Sequence, residues 1–430
     1  MMSTSDKVRL KFDRQRRKRR MRHAVRVLIL IVAVFLLVTD PHESRLPVLV
    51  PALSPLTTVA SLLTTRTFLA TSWIGLSIAL VVLIRRRWFC RWVCPTGTCA
   101  DCASLIGKRL GRRGPRLPSV GQWLLLFTIG GAVLGIPFLL WLDPLALFSG
   151  MFGVLDFDTV PAPRWAAVGM GLVLIVSLAW PGVWCSHLCP LGACQDLLYR
   201  LIRTRFGAKH WKGEAPAESK TVDSSARQEP RPPSSLGVAL TRRVVLGVGV
   251  GTISAVVARG LNASAPPRLL RPPGAVDENR FVHLCIRCGN CLRACPTNII
   301  RPDHGHGGIV GLLAPTLQFK DDYCTEGCTQ CTLVCPSGAL MPIDTENGKT
   351  LAIIGVPQVD MQLCLLGDDR ECSKCKNWCP YEAIALKFSE EEYTLVPEID
   401  FAKCPGCGAC QVACPTTPDK AIVIVPFQAT

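Results

Sequence analysis

The last third of this 430-residue chain contains four runs of four cysteines, and each run ends in a Cys-Pro pair. The first and last runs have the uninterrupted spacing C-x2-C-x2-C-x3-C-P, and the two runs between them carry insertions after their first cysteine. In runs of this spacing three thiolates hold one iron–sulfur cube, and the fourth, before proline, reaches a second cube. We therefore predict four [4Fe–4S] clusters, bound by Cys285, Cys288, Cys291, Cys295, Cys324, Cys328, Cys331, Cys335, Cys364, Cys372, Cys375, Cys379, Cys404, Cys407, Cys410 and Cys414.

Other uses of these cysteines fit the spacing less well. A zinc site is complete with two C-x2-C pairs and requires neither the third cysteine two residues on nor the proline. A disulfide framework is typical of small secreted domains that lack a core, and it does not explain tetrads. The spacing leaves one question open, because the first run can share its clusters either with the second run or with the fourth.

The remaining seven cysteines form a repeat in the first half of the chain. The box Cys90-x3-Cys94-Pro95 recurs 95 residues later as Cys185-x3-Cys189-Pro190, with Gly, Cys and Asp at matching positions after each proline. Seven thiolates indicate either two clusters completed by another ligand, for which Asp101, Asp196 and His187 are candidates, or one cluster and three spare cysteines. For the two aspartates, capping or bridging a neighbouring segment of the chain at the surface is a more common role than metal ligation. The predicted metal ligands here are Cys90, Cys94, Cys99, Cys102, Cys185, Cys189 and Cys194.

Apolar stretches separate these cysteine boxes. A membrane-spanning helix needs about 20 apolar residues, and only one stretch reaches that length without borrowing flanking residues. The mean hydropathy of +0.30 agrees with a chain that lies partly in a membrane. We predict about five transmembrane helices, the first four of them in an internally repeated domain at 24–204. The five stretches are 24–38, 68–84, 121–142, 166–180 and 244–258.

The charge of the chain is divided unevenly. The net charge is +16, but it is +21 up to Arg259 and −5 beyond that residue. Lys and Arg alternate between loops: 1–23, 85–120 and 181–243 contain ten, nine and ten, whereas 40–67 and 143–165 contain two and one. The positive-inside rule places the basic loops in the cytoplasm, so a fifth span carries the last cysteines to the periplasmic side. Because the basic residues flank apolar stretches, we expect lipid and not nucleic acid as their partner.

The two halves are joined by a segment without cysteines. Residues 205–240 are polar and rich in Pro and Ser, which is typical of a flexible linker. Arg242 and Arg243 then precede an apolar stretch, which is the pattern of a twin-arginine export signal in an internal position. We predict a basic tail at 1–23, a signal-like anchor helix at 241–265 and the cluster-binding domain at 266–430. Ala263-Ser-Ala265 offers a cleavage site, but Pro266 follows it, and we expect the helix to stay as an anchor.

Both halves resemble known families. Phe89-Cys90-Arg-Trp-Val-Cys94-Pro95 and its repeat at 184–190 resemble the polyferredoxin membrane proteins of the NapH, MauN and NosR group. The segment from Thr241 onward is similar to the NapG and MauM ferredoxins, which carry a twin-arginine signal and four cluster motifs. The resemblance implies an α-helical membrane domain fused to an α+β polyferredoxin domain with bacterial ferredoxin-like repeats. One departure is that NapH-type proteins usually carry a ferredoxin pair after their last span, where this chain has none.

The resemblance also implies a function. It points to electron transfer from the quinol pool to a periplasmic reductase or cytochrome c, in a chain of the nitrate-reductase or methylamine-utilisation type, with possible quinol dehydrogenase activity. The twin-arginine export machinery is then a further partner. Asp40 and Asp143 each precede a proline at equivalent positions and are candidate proton acceptors, although an Asp-Pro pair more often simply ends a helix. The alternative is an assembly or maturation factor that supplies electrons or metal to another metalloenzyme, and electron flow outward from a cytoplasmic donor also stays open.

Overall fold

The structure is a computed structural model of the chain, and it describes residues 4–39, 45–115, 118–152, 164–205, 235–261, 269–343, 352–368, 370–390 and 393–427. Three predictions fall outside these ranges. They concern Asp40, most of the predicted linker, and the cleavage site at 263–265.

The first half is built entirely from helices. Proline begins four of them, where its missing N–H costs nothing because the first helical N–H groups have no partner inside the helix. Single turns of other helix types lie at Leu46–Val48, Leu140–Leu142 and Trp184–Leu188. The helices are α1 Thr4–Val38, α2 Leu49–Ala52, α3 Pro55–Thr65, α4 Ser72–Ile84, α5 Trp88–Trp92, α6 Pro95–Arg109, α7 Val120–Val133, α8 Pro144–Phe152, α9 Arg164–Ala179, α10 Pro190–Arg205 and α11 Ser235–Leu261.

Few of these helices are long enough to span a membrane alone. Within the described ranges, Arg16–Val38 of α1 is long and apolar enough to cross a membrane. The helices Leu46–Ala52 and Pro55–Thr65, which meet at an 89° bend, are long enough only if the two together form one broken span. Three shorter apolar helices lie at Ser72–Ile84, Val120–Val133 and Val168–Ala179. The structure thus offers one or two candidate spans where the sequence predicts about five.

Glycines bring two of the helices into backbone contact. A Cβ on Gly130 of α7 would lie 2.4 Å from the carbonyl oxygen of Val248, and one on Gly251 of α11 would lie 2.4 Å from that of Phe127. Only glycine fits at such a crossing, as at the close helix contacts of membrane proteins. Gly251 of α11 therefore serves helix packing.

The second half is a small α+β unit with short elements, as predicted. Three antiparallel two-stranded sheets pair β1 with β2, β3 with β6 and β4 with β5; Ile300 lies opposite Leu317, for example, and Ile384 opposite Ile399. Cysteines and aliphatic side chains share its core. The elements are α12 Glu278–Leu284, α13 Asn290–Arg293, β1 Ile300–Pro302, α14 Gly308–Gly311, β2 Pro315–Leu317, α15 Gln330–Leu333, β3 Val356–Val359, α16 Lys374–Asn377, β4 Ile384–Ser389, β5 Thr394–Ile399, α17 Ala409–Ala413 and β6 Ile422–Val425.

The two halves meet at the helix ends that lie away from the two cysteine boxes. Arg293 donates to the carbonyl oxygen of Leu37 (2.6 Å), at the end of α1, and the Asn290 amide donates to that of Pro47 (3.4 Å). The other part of α1 touches the first box, where Arg26 pairs with Asp101. Eleven residues of helix separate Arg26 from Leu37, or roughly 16 Å at 1.5 Å per residue. We call this contact between the halves the seam.

Candidate iron–sulfur sites

The first two cysteine runs exchange their last cysteines. Cys285, Cys288 and Cys291 surround a space that is also lined by Cys335 of the second run. The first three cysteines of the second run share a small cavity with Cys295 of the first. We call these site 1 (Cys285, Cys288, Cys291, Cys335) and site 2 (Cys295, Cys324, Cys328, Cys331). The first run is therefore paired with the second and not with the fourth.

The third and fourth runs form an equivalent pair. One cavity is lined by Cys364, Cys372, Cys375 and Cys414, which we call site 3. Cys404 and Cys407 lie within electrostatic range of Cys379, and Cys410 lies within range of both Cys404 and Cys407. These four cysteines, Cys379, Cys404, Cys407 and Cys410, form site 4. Each site thus combines three cysteines of one run with the Cys-Pro cysteine of its neighbour.

Hydrogen bonds reach the sulfur atoms at the Cys-Pro positions. The hydroxyls of Thr297, Ser337 and Thr416 lie 3.6, 3.7 and 3.2 Å from the Sγ atoms two residues before them. They can donate to these sulfurs when the cysteines are thiolates. Backbone N–H groups of Leu340 and Ala383 donate to the sulfurs of Cys335 (3.4 Å) and Cys379 (3.3 Å). Hydrogen bonds to sulfur are one of the means by which a protein sets a cluster potential.

Burial raises the pKa of several thiols in the sites. Burial, followed by the nearby charges of Cys335 and Cys285, raises the pKa of the Cys288 thiol to about 12. Burial also raises the pKa of Cys407 to about 11. A bound metal reverses this effect, because a coordinating thiol gives up its proton. The spacing, the four-thiolate sets and the enclosed spaces all fit [4Fe–4S] clusters.

The geometry differs from that of a single-ion site. Among the residues the structure describes, no three His, Cys, Asp or Glu side chains lie close enough to hold one metal ion. A cubane distributes its four thiolates over four iron atoms, so its ligands stand farther apart than those of one ion.

The two pairs touch through sites 2 and 4. The N–H of Cys324 donates to the carbonyl oxygen of Cys407 (2.9 Å), and the ring of Phe319 closes against Gly408. The Tyr381 hydroxyl is buried within electrostatic range of both cysteines and has no hydrogen-bond partner in the described part of the chain. Cys375 in turn lies within range of Cys410. The sites therefore follow one another in the order 1, 2, 4 and 3.

The two boxes of the first half also come together. Cys94 and Cys189 precede α6 and α10, and their sulfurs accept N–H bonds from Gly97 (3.3 Å) and Gly192 (3.4 Å). The repeat thus has the same local geometry twice. Cys90 lies within electrostatic range of Cys94, Cys185 and Cys189. We call these four cysteines the box site; the starts of two helices there favour negative charge, such as that of thiolates.

Two contacts cross directly from one box to the other. The Gln195 amide donates to the sulfur of Cys90 (2.9 Å), and Arg87 donates to the carbonyl oxygen of Cys185 (3.4 Å). Gln195 is fully buried. The repeat gives no signal for Gln195, because its counterpart in the first copy is Ala100.

The other predicted ligands of the first half lie outside the box site. Cys99 is near Cys102 and packs towards α1, Cys102 is exposed, and Cys194 is buried on α10. Asp101 pairs with Arg26 at 2.6 Å, whereas Asp196 pairs with Arg86 and Arg87, both at 2.8 Å. His187 lies in the turn Trp184–Leu188. Of the two sequence alternatives, the structure matches one four-cysteine site with three cysteines outside it.

Asp143 lies in the core and not at an outer surface. Its side chain is fully buried, accepts the N–H of Leu145 (2.9 Å) at the start of α8, and accepts the hydroxyl of Ser54 at the start of α3. Asp143 thus lies before the first turn of α8, whereas the Asp-Pro pattern was expected to mark the end of a helix.

Four sites of this kind in a small α+β unit define a multi-cluster ferredoxin-type protein. A model described as "4Fe-4S dicluster domain" matches residues 284–339 and 370–417, one match for each pair of runs. A second model, described as "4Fe-4S binding domain", matches 65–113 and 162–209, which contain the two boxes. No solved structure matches the chain.

Curated relatives define the family more closely. The methylamine utilization ferredoxin-type protein MauM of Methylobacillus flagellatus is 36% identical over 198 residues, which are 44% of this chain and 80% of the relative. The ferredoxin-type protein NapG of Escherichia coli is 32% identical over 198 residues, 43% of this chain and 84% of the relative. NapF of the same organism is 32% identical over 149 residues, 34% of this chain and 81% of the relative. The chain belongs to this family of ferredoxin-type electron-transfer proteins.

Proposed function

We propose that the protein is a membrane-bound electron-transfer protein that passes electrons from the quinol pool to a periplasmic reductase or cytochrome. In this proposal the first half is a NapH- or MauN-like membrane partner fused to the MauM- or NapG-like ferredoxin half. The observation that carries it is the packing of the two halves: one apolar core contains Cys94 and Cys189 of the boxes together with Ile286, and Cys288 of site 1 packs against this core. A fixed contact of this kind is what a fused donor and acceptor require.

The proposed topology has about five spans with the ferredoxin half outside. Its support is the alternation of basic loops, together with the position of the seam at the helix ends away from the two cysteine boxes. Arg242 and Arg243 are exposed on α11, where they are accessible to export machinery. Intact spheroplasts check this arrangement: an added protease is expected to cut the ferredoxin half, and a membrane-impermeant thiol reagent is expected to leave Cys102 unlabelled.

The order of the sites suggests a direction for electron transfer. Iron–sulfur clusters, when bound, supply one-electron oxidation and reduction, and each site places its thiolates next to those of the following site. Site 1 lies at the seam and site 3 at the far end. Trp378, which directly precedes Cys379 of site 4, is 51% exposed, and the net charge of the half is negative. We infer that an acceptor with a positive surface docks at that end.

Anaerobic reduction by a quinol tests the proposal. Purified protein with its clusters is mixed with decylubiquinol, and cluster bleaching is followed by absorbance and by EPR. We expect partial reduction by quinol and full reduction by dithionite. If dithionite reduces the clusters and quinol reduces none, the quinol-oxidising function is wrong and the assembly alternative gains support.

A further inference from the structure

A large apolar cavity lies at the seam between α8, α9 and site 1. Its volume is about 700 Å³, within the range of small-molecule sites, which often form where two domains meet. Part of this volume lies among the four cysteines of site 1 and belongs to the cluster. The remainder extends between the helices, where its walls are Trp141, Ala146, Leu147, Gly150, Val168 and Leu172.

One side of the cavity opens onto the apolar surface of α9. Val168 and Leu172 line the cavity and are 54% and 58% exposed. Ile175, one turn further along the same helix, is 63% exposed but does not line the cavity. In a membrane this face meets lipid, so an apolar molecule can enter without crossing water.

The opposite side of the cavity reaches water. His304 lines it and is exposed. Arg287 lines the cavity and connects residues on its two sides. Its guanidinium donates to the carbonyl oxygens of Val310 (2.6 Å) and Leu312 (2.7 Å), and it lies 5.8 Å from the ring centre of Trp141. The cavity therefore joins a lipid-facing entrance, a redox site and a polar exit.

We propose that this cavity binds the head group of a quinol, with its isoprenoid tail leaving between α8 and α9 and its ring beside site 1. This deepens the function proposed above and depends on it for the direction of electron flow. Oxidation of the quinol to the quinone releases two electrons and two protons. A [4Fe–4S] cluster held by the four cysteines of site 1 would accept these electrons one at a time and pass them towards site 2, while the protons leave to water on the side of His304.

Filling the cavity tests the site. Leu147→Trp places a large side chain inside it, Val168→Trp narrows the entrance from an exposed position, and Ile175→Trp is the matched control on the same helix. Binding of decylubiquinone to the full-length holoprotein in detergent is measured by calorimetry, and its iron content reports folding. We expect both cavity variants to bind about tenfold more weakly than the wild type, and the control to bind as tightly.

Reduction by decylubiquinol is measured on the same proteins. If wild-type affinity for decylubiquinone persists in both cavity variants, or if they are reduced by quinol as fast as the wild type, the site is wrong while quinol oxidation can still stand. If decylubiquinone binds the wild type and both variants weaken that binding, but quinol reduces no cluster, the site stands and the proposed function fails.

Discussion

The two pairs of cysteine runs share one plan but differ in what surrounds them. In each pair the cysteine before proline is exchanged between runs. The first pair packs against the helices of the first half through Asn290 and Arg293. The second pair presents side chains to solvent, with Phe388 62% and Tyr393 83% exposed. The same ligand pattern therefore occurs in two surroundings, once packed against helices and once beside a solvent-exposed surface.

A second difference lies at the Cys-Pro positions. Three of them are followed by a hydroxyl residue that reaches the cysteine sulfur, whereas Cys379 is followed by Tyr381. Tyr381 instead points its hydroxyl to the contact between the two pairs. The junction between the pairs thus differs chemically from the sites within them.

The largest expected effect is the loss of a cluster when a ligand is removed, and it shows which runs pair. Cys295→Ala removes a ligand of site 2, and Cys414→Ala removes one of site 3. We expect each variant to lose about one [4Fe–4S] cluster, or to convert it to a three-iron form, in the site assigned here. Iron analysis and EPR measure the loss, and the Cys324→Ala variant serves as the reference for a damaged site 2. If Cys295→Ala instead gives the spectrum of Cys404→Ala, the first run pairs with the fourth.

The next effect concerns the attachment of the first pair. Gly338 has a positive φ of 75°, and an added Cβ would lie 2.9 Å from Leu69 of the first half. Gly327 has a similar φ of 67° with nothing within 4 Å, so Gly327→Val is the matched control for backbone strain. We expect Gly338→Val to destabilise the protein by about 1–3 kcal/mol more than the control, because the seam has to open. Loss of cluster absorbance on heating measures this difference, and equal losses would show that Gly338 is not part of a tight seam.

The smallest effect concerns the junction between the pairs. With clusters bound, we expect the Tyr381 hydroxyl to donate to sulfur at site 2 or site 4. Tyr381→Phe removes one hydrogen bond worth about 1 kcal/mol, which corresponds to roughly 40 mV for one electron. A redox titration followed by EPR is expected to show one potential lowered by that amount and the others unchanged, with Tyr393→Phe as an exposed control. Unchanged potentials would mean that the hydroxyl bonds elsewhere.

Local spacing predicted the cluster sites better than it predicted their arrangement. The ligand pattern indicated which cysteines of each run lie together and how the boxes repeat, because both depend on nearby residues. Pairing of the runs depends on which Cys-Pro cysteine completes each site, Cys335 at site 1 and Cys295 at site 2, and this tertiary arrangement cannot be read from spacing. The sequence marked Asp143 as a candidate proton acceptor, but tertiary contacts bury its carboxylate against the starts of α3 and α8. The chain bends by 89° between Leu46–Ala52 and Pro55–Thr65. The short helices that follow such bends also explain why counting apolar stretches gives more spans than helix length supports.

The central claim is that electrons enter at site 1 and leave at site 3. Its most direct test compares Cys288→Ala with Cys372→Ala, each mixed anaerobically with decylubiquinol and then with oxidised cytochrome c. We predict that Cys288→Ala prevents quinol from reducing the remaining clusters, although dithionite still reduces them. We predict that Cys372→Ala leaves quinol reduction of sites 1, 2 and 4 intact and slows transfer to the cytochrome. The reverse pattern, or equal effects of the two variants on both steps, would contradict this direction.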